Sequence, residues 1–222
     1  MHGGGYRLGS AKAYRGFASH IAARAGVPAF VVDYPLAPEH PLPAGYDAVL
    51  AARRWLATEG VEQVALVGDS AGGGLVLAAA DGRGASAPTI AAVVAFSPWV
   101  DLTLTGKSMW DPHTRDPYFK PERLAVSAAT YLGGADARDG RASPLFGVTA
   151  RLPPVALQVG TEELLLDDAR RYAEAVAEKG SEVQLDVFEG LHHVFQQSIG
   201  QLPSAARALD AAADFISRYW ME

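Results

Sequence analysis

Short continuous apolar runs alternate along the 222-residue chain with stretches whose apolar residues recur at three and four. The run Val64-Ala65-Leu66-Val67 reads as a buried strand, and Leu75-Val76-Leu77-Ala78-Ala79-Ala80 as a helix. Between them lies Gly68-Asp69-Ser70-Ala71-Gly72-Gly73-Gly74, too rich in glycine for anything but a tight strand-to-helix turn. Upstream, Tyr14, Phe17, Ala18, Ile21, Ala22 and Ala25 mark one helical face, with Ser10 able to cap its start and Gly26 to stop it. Ala29-Phe30-Val31-Val32 reads as a further buried strand. The four prolines between Asp33 and Ala44 then require an irregular loop. A helix from Asp47 to Ala57 follows, with Val49, Ala52, Trp55 and Leu56 to bury.

Downstream, Thr89 to Phe96 is a β-rich apolar run. From Leu102 to Leu145 the rhythm breaks: Met109, Trp110, Tyr118, Phe119, Leu124, Tyr131 and Leu132 are scattered among polar, Pro and Gly residues. This predicts an insertion, 102–145, packed like a cap over an apolar pocket. The rhythm returns with the strand Val155-Ala156-Leu157-Gln158-Val159, a helix from about Asp168 to Lys179, alternation at Val183, Leu185 and Val187, and a last helix capped by Ser204. Strands alternating with helices imply an α/β fold, a mostly parallel sheet with helices on both faces. No linker or repeat divides the chain, so one domain over 1–222 is expected.

Composition narrows the function classes. Hydrophobic residues make up 49% of the chain without any long uninterrupted apolar span, which argues against membrane insertion. The formal net charge of −6 and the lack of a Lys/Arg stripe argue against a nucleic-acid partner. With no cysteine there is no disulfide framework and no thiolate chemistry. No segment near Met1 has the order of a signal peptide, and a cytoplasmic location is the expectation.

The turn around Ser70 carries the candidate chemistry. Small neighbours on both sides permit the strained backbone that lifts a serine hydroxyl clear of a sheet, and the following helix points free N–H groups at whatever binds there. His2-Gly3-Gly4-Gly5 can turn successive N–H groups into an anion nest, with His2 shaping the loop. An acidic loop, 160–168, follows one strand end, and Glu189-Gly190-Leu191-His192-His193-Val194-Phe195 follows the alternating run 183–187. Serine, acid and histidine at the carboxyl ends of successive strands is the arrangement nucleophilic acyl transfer needs. The hydroxyl requires a base, and the base an acid to orient it.

These motifs, with Asp33 to Ala44, Ser97 to Thr103 and Ser143-Pro144-Leu145, resemble those of the hormone-sensitive-lipase-like bacterial esterases in their G-D-S-A-G branch. The resemblance covers nearly the whole chain. It implies an α/β-hydrolase with a small partial cap, acting on short-chain carboxylic esters without metal or organic cofactor. It places the nucleophile at Ser70 and the base at His193, two positions before Phe195. Counting from Gly160 it places the acid at Glu163, where the family more often has Asp, in preference to Asp167 and Glu162. The oxyanion donors map to the N–H groups of Gly3, Gly4 and Ala71.

The resemblance also implies strands and a front half of the cap ahead of the His2–Gly5 loop. A sheet lacking them exposes an edge, to be covered either by further chain or by a second copy in a homodimer. Two other readings remain open from sequence: a binding protein on the hydrolase fold, like the plant gibberellin receptor, and an acyltransferase or peptidase.

Overall fold

The computed structural model describes residues 1–81, 87–150 and 152–220. In chain order its helices and strands are α1 (Ala11–Ala25), α2 (Ala44–Thr58), β1 (Gln63–Asp69), α3 (Ser70–Ala78), β2 (Thr89–Phe96), α4 (Lys107–Trp110), α5 (Pro121–Leu132), β3 (Val155–Glu162), α6 (Leu166–Glu178), β4 (Val183–His192) and α7 (Pro203–Tyr219). The strands form one sheet in the order β1-β2-β3-β4, each neighbouring pair parallel. Parallel neighbours need crossovers, and α3 and α6 supply two of them.

The side-chain period of two sorts each strand between two apolar layers. Val64, Leu66, Val93, Ala95, Val155 and Leu157 pack with Val76 of α3 and Tyr172 and Val176 of α6. Ala92, Val94, Phe96 and Ala156 face the other way, onto Leu209, Phe215 and Ile216 of α7, with Phe17 and Ile21 of α1 alongside. A third cluster lies toward the carboxyl end of β1, where Tyr6, Tyr34, Leu75, Trp99 and Met109 meet Leu124, Ala128 and Tyr131 of α5.

Segment 102–145 is more ordered than its scattered composition suggests, because α5 supplies a regular face. Leu124, Ala128 and Tyr131 are its buried residues, Pro121 starts it, and Gly133 ends it at φ 57°. The cap of α1 is as expected, with Ser10 Oγ accepting from Ala13 N–H. Ser204, by contrast, lies inside α7 behind Leu202 at the cap position, with no side-chain cap bond, because Pro203 already fits the first helical turn.

Two expectations fail near β1. Residues 29–32 form no strand, since among the described residues none of the four strands pairs with them and a β-ladder needs a partner. Phe30 is accordingly 54% exposed, and Trp55, expected to be buried, is 46% exposed against it, ring centroids 5.0 Å apart. This segment, α1, α2 and β1 border an apolar groove of about 510 Å³. At its upper end the Met1 ammonium donates to Val67 O at 2.6 Å.

Candidate active site

β1 ends at Asp69, and Ser70 opens α3 with φ 52°, in the left-handed region that a non-glycine residue occupies at a cost. The turn closes because Gly68 lacks a side chain, since a Cβ there would collide with the backbone of Gly72, and Gly72 in turn lets the Met1–His2 backbone lie against the elbow. Ser70 is thereby fixed at the first turn of a helix, where backbone N–H groups have no intrahelical acceptor.

Glu163 and His193 come together beside this turn. Glu163 is fully buried, and His193 is 8% exposed. His193 Nδ1 lies 3.5 Å from Glu163 Oε1. The other oxygen, Oε2, accepts from Ser97 Oγ at 2.7 Å and from Gly160 N–H at 3.3 Å. Burial alone would lower the His193 pKa, but the hydrogen bond and charge of Glu163, with the charges of Asp116 and Asp69, raise it above the ordinary value. Asp167 is engaged elsewhere, accepting from Ser108 N–H, and Glu162 ends β3 opposite His192.

Ser70 and His193 line one cleft of about 1050 Å³. The 102–145 segment builds much of its wall through Tyr118, Phe119, Arg123 and Leu124. Phe119 sets its ring edge-on against His193, and Tyr118 does the same to His192, with centroids 5.0 and 5.1 Å apart. Asp116 holds this corner: Oδ1 accepts from Tyr118 and Phe119 N–H, and Oδ2 accepts from Leu164 N–H next to Glu163.

The glycine loop lies on the other side of the cleft. His2 is buried, stacks on Tyr34 at 4.3 Å, and through Nδ1 donates to Gly3 O at 2.8 Å, so it shapes the loop. Gly3 does not face the cleft as the sequence predicts. Its N–H donates to Asp69 Oδ1 at 3.0 Å and it is absent from the cleft lining, whereas Gly4 and Gly5 line the cleft. Among the described residues, the N–H groups of Gly4, Gly5 and Ala71 have no protein acceptor. Gly3 is tied to Asp69, while Gly4 and Gly5 form a turn with φ 123° and 60°, values that glycine adopts without a side-chain clash.

Asp69, Tyr14 and Gln197 were not singled out as site residues by sequence. Tyr14 OH donates to Asp69 Oδ2 at 2.9 Å, and Gln197 Nε2 lies 3.1 Å from Tyr14 OH. Asp69 stands within the elbow motif, but its partners are 55 or more residues away in the chain, and nothing local announces them.

A nucleophile elbow, a buried acid–histidine pair at the ends of neighbouring strands and a glycine loop across the cleft define a hydrolase-type α/β protein. A family model for the alpha/beta hydrolase fold matches residues 1–197. An acetyl-hydrolase of Streptomyces hygroscopicus is 37% identical over 97% of this chain and 73% of its own length. An esterase of Acinetobacter venetianus is 34% identical over 97% and 72%. Among solved structures, an esterase of the bacterial hormone-sensitive lipase family superposes with a TM-score of 0.93 at 41% identity, covering 99% of this chain and 75% of that one. EstE5 soaked with p-nitrophenyl butyrate gives 0.92 at 36% identity with the same coverage. The chain belongs to the alpha/beta hydrolase family, in its bacterial hormone-sensitive-lipase branch.

Proposed function

We propose that the chain is a serine carboxylesterase that hydrolyses short-chain carboxylic esters through an acyl-enzyme. The observation that carries this reading is the strained Ser70 on the same cleft as His193, whose Nδ1 faces the fully buried Glu163. Ser70 Oγ attacks the ester carbonyl as His193 takes its proton, and Glu163 holds the imidazole in the tautomer that leaves the other nitrogen free. The N–H groups of Gly4, Gly5 and Ala71, rather than Gly3, receive the oxyanion; each such donor contributes roughly 3 kcal/mol to lowering the barrier. The alcohol leaves with the proton from His193, and water releases the acid by the reverse sequence. The presence of His193 beside Glu163 on the Ser70 cleft favours hydrolysis over binding alone.

Trp99, Phe119 and Leu124, large side chains on the cleft wall, support a preference for small acyl groups. The test is the rate on p-nitrophenyl acetate, butyrate, octanoate and palmitate, with Ser70→Ala alongside. Turnover highest on acetate and butyrate, and falling to background in Ser70→Ala, is the expected result. Equal rates for the two proteins would overturn the mechanism, and a palmitate preference the substrate class.

A further inference from the structure

Ser97 lies just beyond β2, fully buried, with φ 45°. Its hydroxyl sits between two loops far apart in sequence, 2.7 Å from Glu163 Oε2 and 3.0 Å from Val194 N. The proton assignment is forced. The Val194 N–H can only donate, so Ser97 Oγ accepts there, and its own hydrogen goes to the carboxylate, which can only accept when ionised. One donor and one acceptor on a single atom thus join the acid to the residue after the base.

Val194 itself has φ 48°, an unfavourable conformation for a β-branched residue that must be held by its surroundings. We propose that Ser97 is the positioning residue of this site, its hydroxyl setting the Glu163 carboxylate and the His193 loop in register with each other. The inference rests on the reading of Ser70, Glu163 and His193 given above. It assigns the two carboxylate oxygens separate duties, with Oε2 anchored by Ser97 and Gly160 while Oε1 is left to His193. Without the hydroxyl, Oε2 keeps only the longer bond from Gly160, Val194 N–H is left unpaired in a dry interior, and the carboxylate is free to turn.

The test separates this role from mere support of a strained backbone. Ser97→Gly relieves the positive φ and removes the hydroxyl, whereas Ser97→Ala removes the hydroxyl alone. Both variants, with Ser70→Ala as reference, are assayed on p-nitrophenyl butyrate, melted by circular dichroism, and examined by proton NMR for the low-field signal of the His193 Nδ1 proton. The expected result is a kcat roughly 10- to 100-fold below the parent in both, with KM little changed and the low-field signal lost or shifted upfield, even where Ser97→Gly melts as high as the parent. If Ser97→Ala folds poorly, Ser97→Gly carries the comparison. Parent-like kcat and an unshifted signal in a folded Ser97→Gly, with Ser70→Ala inactive, would overturn this inference alone. Undiminished activity in Ser70→Ala would instead overturn the reading of the site on which it rests.

Discussion

Gly3 N–H and Asp69 Oδ1 are 3.0 Å apart, a bond that fastens the glycine loop to the elbow carrying Ser70. Asp69 is 3% exposed, and burial, opposed by the Tyr14 hydrogen bond and the nearby positive groups, raises its pKa. The loop facing the cleft is therefore held by a carboxylate that also lines the cleft and helps raise the His193 pKa. Asp69→Ala is expected to lower kcat by about 10- to 100-fold by loosening Gly4 and Gly5. Tyr14→Phe, which keeps the carboxylate and the Gly3 bond, is expected to cost only about 1 kcal/mol of stability. Steady-state kinetics and urea unfolding of the two variants distinguish these outcomes.

The raised His193 pKa makes the acid limb of the pH–rate profile informative. His193 acts as a base only when neutral, so kcat/KM rises as pH passes its pKa, which lies above the ordinary value of about 6.5. Glu163→Gln removes the hydrogen-bonding charge that raises it. The limb then moves to lower pH while the plateau falls, and a profile on p-nitrophenyl acetate records both.

Phe119 presses its ring edge against His193 and lines the cleft. Phe119→Ala is expected to raise the ratio of kcat/KM on octanoate to that on butyrate several-fold by opening the wall, with absolute rates on butyrate reduced.

Asp168 gives a stability prediction away from the chemistry. Fully buried, its Oδ2 accepts from Val100 and Asp101 N–H, Oδ1 has no partner among the described residues, and burial pushes its pKa up to about 8. Between about pH 4 and 8 the folded chain holds a proton that the unfolded chain has lost, so this group's contribution to stability falls as pH rises through that window and levels off above it. Asp168→Asn is expected to flatten that slope in urea-denaturation midpoints. An unchanged slope would mean that Asp168 titrates normally.

The parts legible in the sequence were those with a local signature. The strands β1 to β4 show as apolar runs or alternation, and the elbow shows because glycine spacing and a strand–helix change coincide at Ser70. Residues 29–32 misled because an apolar run states that a segment is hydrophobic but not that a neighbour pairs with it. Helix α5 was hidden by its mixed composition, although Pro121 and Gly133 bracket it. Spacing cannot tell three consecutive glycines apart; the bond from Gly3 N–H to Asp69, distant in the chain, is what distinguishes Gly3 from the cleft-lining Gly4 and Gly5. Ser97 stood in a recognisable motif without a role, because its partners lie 66 and 97 positions away.

The central claim, that Ser70 carries the acyl group, is tested most directly by intact-protein mass spectrometry after brief mixing with p-nitrophenyl butyrate and acid quenching, followed by peptide mapping. The account predicts one butyryl adduct on the peptide containing Ser70, formed with a burst of p-nitrophenol and absent in Ser70→Ala. An adduct on another residue, or p-nitrophenol released equally by Ser70→Ala, would contradict it.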